Sequence, residues 1–132
     1  MAAFDEARRL LAKAGEDEYV LDRLLDDAAA PDSMFGFHAQ QAVEKLLKAA
    51  LFAGDVPPPR THQLTLLIDL AAERGLHPPP ECEALRGLTP FAVLYRYDDV
   101  ESGDAEEPLP RAEVRMHIRR LRSWVEGRLT CP

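Results

Sequence analysis

Cysteine is scarce in this chain: there are two, Cys82 and Cys131, far apart and without metal-like spacing. That usage fits a reduced compartment, and a cytoplasmic location is expected. No apolar run is long enough to cross a bilayer, and the first fifteen residues carry Asp5, Glu6, Arg8 and Arg9. Neither a spanning segment nor a signal peptide is therefore expected, and a membrane is not among the expected partners. Strand-like alternation is missing throughout. So are glycine-rich phosphate loops, a serine elbow and zinc signatures, so no metal and no cofactor is expected. Positive charge is also short: 16 Lys and Arg against 23 Asp and Glu leave a formal charge of −7. That balance argues against nucleic-acid binding through overall electrostatics and leaves only a local basic face open.

What remains is helical. A composition of 46% hydrophobic and 30% charged residues describes a globular chain, and 132 residues suffice for one domain with a real core. Residues 1–132 are read as a single unit with its core over about 10–128. A first helix is expected over 3–29, its apolar face supplied by Leu10, Ala14, Leu21, Leu24, Leu25 and Ala28 and its middle weakened by Gly15. Asp32 or Ser33 is expected to cap a second helix running to Ala53 and stopping at Gly54. After the stiff connector "DVPPPR", Thr61 is expected to cap a third helix that ends at Gly75. Gly87 and Pro90 should kink or split the segment from Glu81 to Tyr97. An acidic loop, 98–110, then leads to Pro110 and a last helix reaching Leu129. The fold class is all-α: an up-and-down four-helix bundle with an additional short helix.

The second helix raises the functional question. In "FHAQQAVEKLLKAAL", Ala42, Val43, Leu46, Ala49, Ala50 and Ala53 form a core face, while His38, Gln41, Lys45 and Lys48 gather on the opposite side with Glu44 beside them. Three readings stay open. The lysines, with Gln41 and His38, grip a phosphate while Glu44 orients one of them. Alternatively, Gln41, Glu44 and Lys45 face another helix or a twin subunit and bond to His62, Arg96 or Tyr97, fixing register. In the simplest reading, Glu44 and Lys48 are an ordinary i,i+4 pair on a solvated face.

"FHAQQAVEKLLKAAL", followed by "RTHQLTLLIDL" and "LYRYDD", resembles the HEPN domain family (higher eukaryote and prokaryote nucleotide-binding domain) in three motifs and their order. These are the Q-A-x-E-K-x-x-K-A helix, the T-H-x-L helix start and the R-Y-P-D helix end. Two departures are mild: Asp98 stands in place of a proline, and Gln63 where an aspartate is common. The resemblance implies a helical bundle, usually a homodimer, often encoded beside a minimal nucleotidyltransferase in prokaryotic toxin–antitoxin or defence systems. Some members are RNA endonucleases, whereas others bind nucleotides or partners. The candidate residues for nucleotide or partner binding are Gln41, Glu44, Lys45, Lys48, His62, Arg96 and Tyr97.

The family's nuclease motif is an arginine, four to six residues, then a histidine near the start of the last helix. Arg111 and His117 meet that spacing and place, although Ala112 follows the arginine where a polar residue is usual. Metal-independent RNA cleavage needs a base for the 2′-hydroxyl proton and a cation for the phosphate charge, roles that His117 and Arg111 can fill. Residues six apart point about 120° away from each other, so the pair converges only if Arg111 lies in a frayed start. As the bland alternative, His117 packs beside Val114, Ile118, Leu121, Val125 and Trp124. Arg111, Arg115, Arg119 and Arg122 also form a basic strip, matched by Glu16, Asp17, Glu18, Asp22, Asp26 and Asp27 on the first helix. Pairing of these two strips is the expectation, with RNA or a nucleotide phosphate as the alternative partner of the arginines. An apolar edge is expected around Trp124 and Leu129, where a second subunit would dock.

Overall fold

A computed structural model describes residues 2–94 and 108–130. Arg96, Tyr97, residues 98–107 of the expected acidic loop and Cys131 lie outside the described residues. The elements are α1 (Ala2–Leu24), α2 (Asp32–Ala53), α3 (Leu64–Glu73), α4 (Cys82–Leu85), a 3₁₀ turn (Arg86–Leu88), α5 (Phe91–Leu94) and α6 (Arg111–Thr130). Among the described residues there is no strand, and the chain is an all-α bundle. Helix α2 is its axis, packing against α1, α3, α5 and α6. Phe35, Leu46, Leu47 and Leu51 of α2 are fully buried against Leu21, Leu67, Ile118 and Leu121 in one core. No helix among the described residues is long and apolar enough to cross a membrane.

Helix α1 ends at Leu24, five residues before the expected boundary. Asp27 is the physical reason. Its carboxylate accepts the Ala29 N–H at 3.0 Å and its carbonyl accepts the Ala30 N–H at 3.1 Å, offering the backbone a turn in place of another helical step. Gly15 does not break the helix; a Cβ there would sit 3.3 Å from Arg122 Nη2, so the glycine lets an arginine of α6 cross closely. In α2, Gly36 does the same for α5, because a Cβ would run into the Phe91 ring.

The expected caps are replaced by other devices. Neither Asp32 nor Ser33 caps α2, whose N-cap is Pro31 without a side-chain bond. The Asp32 carboxylate instead accepts the Leu109 N–H at 2.8 Å, tying the start of α2 to the approach of α6. Thr61 does not cap α3 either: its hydroxyl accepts the Gln63 N–H at 3.1 Å, one residue ahead of the helix, and the Leu64 N–H is satisfied from outside by the Thr89 hydroxyl at 3.0 Å. At the other end of α3, Gly75 takes φ +75° and the Leu76 N–H reaches back to Ala71 O at 3.0 Å, a left-handed C-terminal cap. Helix α2 closes in the same way, with the Val56 N–H on Leu51 O at 2.8 Å, but the left-handed residue is Asp55 at φ +66°. Gly54, the expected stop, earns its place through packing: a Cβ would lie 2.9 Å from Leu76. Gly87 and Pro90 divide the segment between α4 and α5 as expected.

Candidate functional site

Among the described residues, five polar or charged side chains are buried: Asp17, Glu18, Gln40, Glu44 and Arg115. Each is held in a hydrogen-bond network, as burial of polar groups requires.

The α2 face is built over two of these carboxylates. Asp17, presented by α1, places Oδ1 2.9 Å from His38 Nδ1 and accepts from Lys45 Nζ at 2.7 Å through Oδ2. Glu44, on α2 itself, has Oε1 3.0 Å from His62 Nδ1 and accepts from Lys48 Nζ at 2.8 Å through Oε2. Gln40 is fully buried and donates both to Glu44 Oε1 and to His62 O, each at 3.0 Å, while Gln41 Nε2 donates to Gln40 Oε1 at 2.7 Å. A chain of amides thus runs beneath this face and pins the connector before α3 onto α2. Burial works to raise the Glu44 pKa, but the bonds from Lys48, His62 and Gln40 outweigh it and hold the carboxyl below its ordinary range. The face is not a row of lysines in bulk water: the Lys45 and Lys48 side chains are 27% and 19% exposed. His62, at 70%, is its open end.

Arg111 is occupied on every nitrogen. Its Nε donates to Asp32 Oδ1 at 3.0 Å; Nη1 donates to Leu24 O at 2.6 Å and Asp27 O at 3.1 Å. Nη2 donates to Ala30 O at 2.6 Å and lies 2.9 Å from Asp32 Oδ1. The guanidinium also stands 5.5 Å over the Phe35 ring. Leu24 O and Asp27 O also accept the Asp27 and Ala30 N–H groups, so Arg111 reinforces the turn that ends a helix not its own. An open cavity of about 560 Å³ adjoins this turn, lined by Asp26, Asp27, Asp32, Leu109 and Arg111 among others. His117 points elsewhere. Its Nε2 is 3.7 Å from Glu113 Oε2, and its Nδ1 is buried without a hydrogen-bond partner.

The rest of the basic strip pairs with α1. Arg115 donates to Glu18 Oε1 at 3.2 Å and to Asp22 Oδ1 at 2.6 Å; Arg122 donates to Glu18 Oε2 and to Leu11 O, both at 2.8 Å. Arg119 lies 3.6 Å from Asp22. Hydrogen bonds from Arg115 lead the causes that hold Asp22 below its ordinary pKa. The expected apolar edge at the end of α6 is corrected: Leu129 is buried, and Trp124 is partly covered by Arg128, 5.3 Å above its ring. Exposed large apolar side chains are instead Tyr19, Leu66 and Met116. Among the described residues no group of acidic, cysteine and histidine side chains is arranged to hold a metal.

Sequence reasoning did not single out Gln40, it took Asp32 only as a helix cap, and it assigned Asp17 to α6 rather than to α2. A signal existed for two of them. Asp17 and Glu18 lie between Ala14 and Leu21 on the core-facing stripe of α1, and Gln40 lies on the same side of α2 as Val43 and Leu47. A polar group on such a stripe demands a buried partner.

A family model described as HEPN domain matches residues 7–125. Comparison with curated proteins and with solved structures finds no match.

Proposed function

Because the chain belongs to the HEPN domain family, we propose that it is a non-catalytic member: a helical module that binds a nucleotide and docks a minimal nucleotidyltransferase partner. Its setting in this reading is a homodimer in the cytoplasm of a prokaryote, within a toxin–antitoxin or defence-type system. The observation that carries the non-catalytic assignment is Arg111. A phosphate-stabilising arginine needs N–H donors aimed at the substrate, and all three nitrogens of this one are taken up by Asp32 and the backbone of the α1–α2 turn. Binding falls to the face formed by Gln41, Lys45, Lys48 and His62, where two ammonium groups lie over buried carboxylates and one imidazole is open.

One observation favours the ribonuclease alternative, the unpartnered Nδ1 of His117, because a general base needs a free nitrogen. That atom is closed to solvent, however. The test is direct: purified protein is incubated with several RNAs in chelator, and binding of ATP is followed by calorimetry. The module reading expects intact RNA and measurable ATP heat. Cleavage that disappears in His117→Ala would replace it with the enzyme reading.

A further inference from the structure

The two buried carboxylates are built alike. Asp17 holds one lysine and one imidazole, Lys45 and His38; Glu44 holds Lys48 and His62. In both cases the ring nitrogen facing the carboxylate is Nδ1. An ionised carboxylate only accepts, so the proton of each neutral ring sits on Nδ1, and Nε2 is the free nitrogen.

That tautomer decides what the face shows to an anion. With neutral rings, the two carboxylates cancel the two ammonium groups, and each Nε2 offers a lone pair, which repels phosphate oxygens. Protonation leaves the Nδ1 bond in place and changes only Nε2, from an acceptor to a charged donor. The six side chains then carry a net charge of +2. Among the described residues, the ionisable groups in contact with the two imidazoles are Asp17 from α1 and Glu44 from α2, and the same carboxylates hold Lys45 and Lys48. Gln40 and Gln41 join the two halves without charge.

We propose that the polar face of α2 is a proton-gated site for the phosphates of a nucleotide, with Lys45 and Lys48 as its fixed cations and His38 and His62 as its switched ones. The proposal rests on the nucleotide-binding reading above and adds its regulation. Protonation of the two rings adds a charged donor at each Nε2, so acidification strengthens the site.

Linkage supplies the test: if protonation tightens ATP binding, ATP must raise the titration midpoints of the responsible rings. The intact protein has four histidines, and their ring C–H signals are followed by NMR from pH 5 to 8 with and without metal-free ATP. The expected result is a rise of about half a pH unit or more at His38 and His62, with His77 and His117 unmoved, and ATP affinity about tenfold higher at pH 5.5 than at 7.5. The double substitution His38→Gln, His62→Gln should flatten that dependence, with helicity by circular dichroism showing that the fold is kept. ATP binding with unmoved His38 and His62 midpoints overturns the gate and leaves the nucleotide reading standing. Absence of ATP binding even at pH 5.5 overturns both.

Discussion

Arg111 Nη1 donates to Leu24 O at 2.6 Å, joining the first residue of α6 to the last residue of α1. With Asp27 O, Ala30 O and Asp32 also served by the same guanidinium, Arg111→Ala removes a charged donor from four acceptor groups of the α1–α2 turn at once. The expected loss is about 2–4 kcal/mol of unfolding free energy, read from the urea midpoint at unchanged slope. Lysine should recover only a small part, because one ammonium cannot reproduce the planar fork. An arginine reserved for phosphate chemistry would leave the midpoint where it is.

Arg115 and Glu18 are both buried, so removing either strands a charge. Arg115→Ala should destabilise the protein by roughly 3–5 kcal/mol, far more than loss of the exposed Arg9–Glu6 pair, for which about 0–1 kcal/mol is expected. Because Glu18 and Asp22 share Arg115, the Glu18→Ala and Arg115→Ala effects should fall short of additivity in a double-mutant cycle.

Glu44 sets an acid limit. Its folded-state pKa lies below the ordinary value of 4.5, so the unfolded chain binds its proton more readily than the folded one. The stability that this group contributes is present in full above the unfolded pKa and is lost as pH falls from there through the folded pKa. Thermal midpoints measured from pH 7 down to pH 3 should decline in that acid window, and Glu44→Gln should decline less steeply. Equal slopes for the two proteins would contradict the assignment.

Gly36→Ala places a methyl group into the Phe91 ring, backbone-fixed on one side and ring-fixed on the other. Overpacking of this kind is expected to cost about 1–3 kcal/mol, despite the better helix propensity of alanine. Phe91→Leu in the same chain should return part of it. Alanine tolerated at no cost would mean that α5 is free to shift away from α2.

Helix existence was legible wherever apolar spacing ran long, as in α2 and α6, and the pairing of the α1 acids with the α6 arginines followed from two facing strips of opposite charge. Helix ends were not legible, because their satisfying partners are distant in sequence: Thr89 closes α3, and Arg111 closes α1. Asp32 looked like a cap because aspartate suits that position, but its carboxylate is drawn away by Leu109 and Arg111. For α2 the stop was placed at the right glycine for the wrong reason; steric room beside Leu76 keeps Gly54, while Asp55 takes the left-handed turn. At the candidate site, the lysines and His62 stood out from spacing and resemblance. Glu44 stood out with them, but Asp17 did not, since identifying it as the partner of His38 and Lys45 requires knowing how α1 is rotated against α2.

The closure of α1 by Arg111 also orders events on the ribosome. A nascent chain that has emerged through α2 already holds the two helices that pack most broadly against each other, yet Ala30 O still lacks the Arg111 guanidinium that it meets in the finished fold. The bend is closed locally by Asp27, and it gains its arginine bonds only once residue 111 has been synthesised. One guanidinium, supplied 81 residues further along the polypeptide, is thus the last donor to reach this bend.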